Sequence, residues 1–207
     1  METLIDHWNK IFKATDENKL GWYEDDFSET LKFLDLIPGW KSSKIFVPGV
    51  GTSGLVDILL RSDATLVLND LSPEAIEKSK NKCIDRVNSI KWLCQDISKL
   101  LPLEINDIDI WIDRAVLHFL TDDNCIGQYF KNVNTTVKIG GYAIFAEFSK
   151  KGATRCAGLD LRRYDVKDLE KNLPAFKLIV SEEYTYMNPK GDPRPYIYTL
   201  FKKIKFS

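Results

Sequence analysis

The chain lacks any long hydrophobic run, so a membrane-spanning helix, which needs about 20 apolar residues, is not expected. Its first residues, METLIDHWNK, have no basic stretch leading into an apolar one, so no secretory signal is read there. Cysteine is sparse: Cys83, Cys94, Cys125 and Cys156 lie far apart, with no CxxC and no Cys/His spacing that would hold a metal. No metal is therefore expected, and the thiols read as reduced side chains of a cytoplasmic protein. Nor is there an excess of one charge. Lys and Arg number 29 against 30 Asp and Glu, which gives no electrostatic case for nucleic acid or for an anionic membrane surface. Repeats, low-complexity tracts and linkers are also missing. The 207 residues suit one α/β domain, residues 1–207, with a full-sized core.

What is present is concentrated in residues 44–70, KIFVPGVGTSGLVDILLRSDATLVLND. Ile45, Phe46 and Val47 form the short apolar run of a buried parallel strand. Pro48, Gly49, Val50 and Gly51 break it, and two glycines let the backbone turn sharply with no Cβ facing a ligand. A helical pattern from Leu55 to Leu60 and a second apolar strand follow, ending at Asp70, 19 residues after Gly51. Strand, glycine turn, helix and strand ending in a carboxylate make a nucleoside-binding βαβ unit. The turn approaches the ligand and the carboxylate accepts from ribose hydroxyls. At this level a nicotinamide cofactor and S-adenosylmethionine (SAM) are both open.

Elsewhere the pattern alternates. Residues 3–14 read as a helix, and Glu24, Asp25 and Asp26 open a second helix that Pro38-Gly39 ends. Trp8 and Phe12 read as packing of this N-terminal cap, whereas Trp22 and Tyr23, in the loop between helices, read equally as ligand-facing. Ser72 as N-cap and Pro73 at the first helical position start a helix to about Asn81. Residues 90–94 and 107–113 are the third and fourth strands. Asp122 or Asp123 caps the next helix, which Gly140-Gly141 ends before strand five at 142–148. A helix after Asp165 and strands at 176–180 and 196–201 complete the chain. Residues 187–195 between those strands read as too long for a tight hairpin loop. Such alternation points to a doubly wound parallel sheet, with Gly49, Gly51, Asp70, Asp96 and Asp113 along one edge.

These residues resemble the class I SAM-dependent methyltransferases over nearly the whole chain. The resemblance implies a mostly parallel seven-stranded sheet whose last, antiparallel strand inserts beside the fifth, with residues 1–40 as a helical lid and 41–207 as the catalytic core. It also implies SAM as cofactor, bound through Trp22, Pro48, Gly49, Gly51, Asp70, Leu71, Asp96, Ile97 and Asp113. The family usually carries an acidic residue two before the first glycine; here that position is Val47. The Val-Pro-Gly-x-Gly form and the aromatic lid look like a subset that includes thiol and halide methyltransferases, and the lid also like some lysine methyltransferases. An Asn/Asp-Pro-Pro-aromatic tetrad after strand four is absent, which argues against amide or nucleobase nitrogen as acceptor.

Methyl transfer from a sulfonium is an in-line displacement, so the protein must place the nucleophile and exclude water. His118, just past strand four, is the candidate base, or else a packing histidine. Asp113 could orient the acceptor or the methionine end of SAM, or cap a turn. Tyr23, Phe148, Arg155, Arg163 and Tyr164 are the candidate acceptor-binding residues, the arginines suiting a carboxylate. The leading expectation is a small-molecule acceptor with a thiol or other soft nucleophile. A protein lysine is the alternative and a non-catalytic SAM-binding subunit a third. The working unit is expected to be a monomer or homodimer.

Overall fold

The computed structural model describes residues 2–205. Its helices are α1 (Leu4–Ala14), α2 (Ser28–Leu34), α3 (Leu55–Leu60), α4 (Pro73–Lys82), α5 (Asp123–Thr136) and α6 (Val166–Asn172). The strands are β1 (Lys44–Val47), β2 (Thr65–Asp70), β3 (Ile90–Cys94), β4 (Ile108–Arg114), β5 (Val137–Phe148), β6 (Arg155–Cys156), β7 (Leu159–Asp160), β8 (Phe176–Met187) and β9 (Pro193–Lys203). Seven strands form one sheet in the order β3-β2-β1-β4-β5-β9-β8, and β6 and β7 make a separate ribbon. Pairings among β1 to β5 are parallel, while β9 runs antiparallel to both β5 and β8. The expected α/β architecture, with its last strand inserted beside the fifth, is the one observed. No described helix is long and apolar enough to cross a membrane.

Burial on both faces explains why β1 is apolar throughout. Ile45 and Val47 point into a core shared with α2 and α3, and Phe46 points into the opposite core with α5 and α6. There the Phe46 ring stacks on Trp111 at 4.3 Å. Strand order reverses at β1, whose neighbours are β2 and β4. The loops after β1 and β4 therefore splay apart and leave a crevice at the strand ends. Helix α1 and the loop after it border this crevice through Trp8, Phe12 and Trp22. Helix α1 starts at a Thr3–Asp6 capping box and docks on α4, where Ser72 Oγ donates to Asn9 Oδ1 at 2.6 Å.

Three boundaries differ from expectation. Helix α2 stops at Leu34 rather than at Pro38-Gly39, and a short 3-10 turn, Trp40–Ser42, leads into β1. Helix α5, capped by Asp122, ends at Thr136, and Gly140-Gly141 lies inside β5. Gly140 has φ +83, and the β4–β5 register shifts between Ile108 and Ile110. A Cβ on Gly141 would sit 2.9 Å from the Asp109 carbonyl oxygen, so the pair accommodates a bulge instead of stopping a helix. The turn-rich segment is a hairpin after all, because Met187 pairs with Pro193. Asn188 Oδ1 accepts from the Lys190 and Asp192 amides and so folds the turn around one side chain.

Candidate active site

The glycine turn is held by the strand beside it. Gly49 and Gly51 have φ +50 and +53, the left-handed region in which glycine is at ease. The Gly51 amide donates to Asp70 Oδ2 and the Ser72 amide to Asp70 Oδ1, each at 2.8 Å. One carboxylate thus ties the turn after β1 to the turn after β2. Burial pushes the Asp70 carboxyl up to about 6, against the lowering effect of those amides. Gly49 also packs closely, since a Cβ there would lie 2.3 Å from Val116 Cγ2.

Two cavities open on this turn. One is lined by Asp70, Leu71, Asp96 and Ile97 from the β2 and β3 ends and by Val116 and Phe119 from the loop after β4. The other is lined by Tyr23, Glu24, Val47, Pro48, Gly54 and Leu55. Trp22, Gly49 and Arg114 border both, so they are two ends of one cleft. An aromatic wall covers the first end: Trp8 meets Phe119 at 4.9 Å and Trp22 at 5.5 Å, edge to face. Trp8 and Phe12, read from sequence as cap packing, both line this cavity. Trp22→Ala should weaken cofactor binding roughly tenfold, because an aromatic contact of about 1–1.5 kcal/mol is lost, and calorimetry would read this directly.

The remaining sequence-derived candidates lie elsewhere. Asp113 is fully buried; its Oδ1 accepts from the Val116 amide at 3.0 Å, and its Oδ2 accepts from the Leu117 amide at 3.1 Å and the Tyr129 hydroxyl at 2.5 Å. His118 is buried too, lines neither cavity, and has Nδ1 2.7 Å from Glu147 Oε2. Burial pushes its imidazole down to about 3, against the Asp113 charge, so the ring is neutral at physiological pH. Phe148 and Tyr164 are buried, Phe148 packing edge to face on the His118 ring at 4.9 Å. Arg163 Nη1 donates to the Lys150 and Gly152 carbonyls. Arg155 is exposed, pairs with Asp160 at 3.1 Å, and borders a shallower cleft that reaches Trp22.

Arg114 and Glu24 also line the cleft, although neither was among the site residues chosen from the sequence. Arg114 ends β4 at the switch point. Its Nε is 2.7 Å from Glu24 Oε2, and Nη1 donates to the Trp22 carbonyl at 3.1 Å. Its guanidinium lies over the Tyr186 ring at 5.1 Å and the Tyr196 ring at 5.7 Å. An arginine closing a mostly buried strand was the available signal.

A crevice of this shape, at the reversal point of a doubly wound sheet, belongs to a protein that holds a nucleoside cofactor. Comparison with known proteins narrows the class. A family model described as a methyltransferase domain matches residues 47–145. No curated protein matches the chain. Among solved structures, a SAM-dependent methyltransferase from Anabaena variabilis is 12% identical with a TM-score of 0.75, over 96% of this chain and 93% of its own. The N-methyltransferase NodS from Bradyrhizobium japonicum, solved with S-adenosyl-L-homocysteine, is 16% identical with a TM-score of 0.73, over 97% and 100%. A third structure, described for the conversion of a disulfide bond into a thioacetal group during echinomycin biosynthesis, is 15% identical with a TM-score of 0.74, over 97% and 93%. Residues 47–145 thus match a methyltransferase domain, and the solved SAM-dependent methyltransferases share the fold of the chain. Its residues fit SAM: the turn at Gly49 has no room for a Cβ, and Asp70 and Asp96 border the end suited to a nucleoside.

Proposed function

We propose that this methyltransferase acts on a small-molecule acceptor whose nucleophile arrives ready to react, a thiolate or another soft nucleophile. The observation that carries this reading is that the cleft's carboxylates are already engaged, Asp70 by the Gly51 and Ser72 amides and Glu24 by Arg114. Neither cavity is lined by histidine, cysteine or lysine, and His118 is buried and neutral. A thiol with a lowered pKa needs little help near neutral pH, whereas an ammonium must first lose a proton. Bound SAM supplies an activated methyl group. Trp8, Trp22 and Phe119 exclude water from the cleft, while the glycine turn and Asp70 hold the nucleoside in line.

We read residues 1–207 as one methyltransferase domain with 1–40 as its lid, and the four free cysteines favour a cytoplasmic setting. The thioacetal-forming neighbour acts at sulfur by its description and NodS at nitrogen, so both atoms belong in the test. The test is methyl transfer from labelled SAM to panels of thiols, amines and whole lysate. Labelled thioether products are the expected result. A labelled protein band with no small-molecule product would replace this reading with protein methylation.

A further inference from the structure

The shallower cleft at Arg155 gathers positive charge, on a chain that as a whole carries 29 basic against 30 acidic residues. Three segments far apart in sequence meet there. The connection between α1 and α2 brings Lys19 and Trp22, the β6–β7 ribbon brings Arg155, and the β8–β9 hairpin brings Lys190 and Arg194. One carboxylate, Asp192, lines the cleft with these four cations, and it already accepts from Asn188 Nδ2 at 3.1 Å. The cations are poorly compensated. Lys190 is exposed and has no side-chain ion pair among the described residues. Arg194 Nη2 is 3.5 Å from Asp192 Oδ2, and its Nε is buried with no hydrogen-bond partner. Arg155 and Lys19 do have acidic partners, Asp160 and Asp16, but both pairs are exposed to water, where such pairs contribute little. Like charges gathered at one cleft repel each other, and a bound anion relieves that repulsion.

We propose that this cleft binds an oxyanion, a carboxylate or a phosphate, carried by the methyl acceptor at the end away from its nucleophile. This rests on the methyltransferase reading above and adds the acceptor's chemical class. Position supports it. Trp22 lines this cleft and both cavities of the cofactor cleft, so its indole stands between them. An acceptor anchored by Arg155 and Arg194 would pass Trp22 to bring its nucleophile to the methyl group, and a fixed anchor supplies the alignment that an in-line displacement needs. The donor chemistry agrees. Guanidinium groups hold carboxylate and phosphate through charge-assisted hydrogen bonds, and Lys19 and Lys190 add attraction that salt would screen. The walls are also fixed beforehand. His7 Nε2 lies 3.0 Å from the Ala157 carbonyl oxygen, which ties α1 to the β6–β7 ribbon, and Arg155 Nη2 donates to the Gly158 carbonyl at 2.9 Å. Such preorganisation lowers the ordering cost of binding.

The test uses four thiols of similar length that differ at the far end: 4-mercaptobutyrate, 3-mercaptopropylphosphonate, 4-mercaptobutanol and 4-aminobutanethiol. Calorimetry on the full chain saturated with S-adenosylhomocysteine reads binding without turnover, and labelled SAM reads transfer. At least one anionic thiol should bind about tenfold more tightly than the alcohol, and the amine more weakly still. Whichever anion binds better tells carboxylate from phosphate. Raising the salt from about 0.05 to about 0.5 M should erase most of that preference. Arg194→Gln, and separately the exposed pair Arg155→Gln/Lys190→Gln, should bring anion and alcohol within about threefold of each other, the loss falling on the anion and appearing in KM rather than kcat. Equal binding of the anionic thiols and the alcohol by the wild-type protein overturns the anion site without needing any variant to fold. Equal losses of all four ligands in both variants overturn it as well, leaving a structural role, and so does failure of all four to bind. A preference for the anion in binding with no labelled thioether keeps the anion site and overturns the thiol reading instead.

Discussion

Gly49→Ala is expected to leave a folded protein that has lost cofactor binding by a hundredfold or more. Two costs combine. At φ +50 an alanine Cβ meets its own backbone, which costs about 1–2 kcal/mol. The same Cβ would lie 2.3 Å from Val116 Cγ2, a contact that must be relieved by movement. Val116 cannot retreat cheaply, because its amide is bonded to the buried Asp113 carboxylate. The glycine turn is the mobile partner, and it would be displaced into the junction of the two cavities, both of which Gly49 borders. Val116→Ala removes the colliding atoms. The Gly49→Ala/Val116→Ala double variant should therefore recover most of the affinity, keeping only the backbone penalty. Calorimetry with S-adenosylhomocysteine on the two single variants and the double variant would read the coupling. Near-wild-type binding by Gly49→Ala alone would mean that the turn relaxes freely, against the close packing described here.

Cofactor-side residues were legible because topology alone places them. Once residues 44–70 read as strand, turn, helix and strand, right-handed crossovers bring Gly49, Asp70 and Asp96 to one edge whatever the side chains do. The acceptor-side candidates had no such guide. Ala115 adopts φ +68, a conformation that nothing in an alanine announces. The turn that follows buries Leu117 and His118 beneath the sheet edge and leaves Val116 and Phe119 to face the cofactor cleft. Periodicity carried no signal for that choice. Glu24 and Arg114 are 90 residues apart in sequence, and their pairing depends on how the segment before α2 docks on the sheet. Gly140-Gly141 was misplaced because a glycine pair serves a helix end and a strand bulge equally well; only the shifted β4–β5 register separates the two.

Raising the pH from about 6.5 to about 8 is expected to destabilise the protein, and the buried groups after β4 and β5 give the reason. Burial pushes the Glu147 carboxyl up to about 8 from its ordinary 4.5. Burial, reinforced by the Glu147 charge, holds the Asp113 carboxyl well above the usual range. A carboxyl raised in the folded state binds its proton there and releases it on unfolding. Its contribution is complete below the ordinary carboxylate value and is lost as pH rises through the folded one. His118 has the opposite sense: held near 3 rather than 6.5, it costs stability only as pH falls below 6.5. Above 6.5 the carboxyls act unopposed, at about 1.4 kcal/mol per pH unit for each proton taken up on folding. Denaturant titrations at pH 6.5 and 8 should show that decline, and Glu147→Gln should flatten it. Asp113→Ala should instead cost about 3–5 kcal/mol at either pH, because the Val116 and Leu117 amides and the Tyr129 hydroxyl lose their acceptor together. That turn carries Val116 and Phe119, so cofactor affinity should weaken over the same alkaline window. A stability that does not change between pH 6.5 and 8 would show that folding takes up no proton there, and would remove the link between this buried cluster and the cofactor wall.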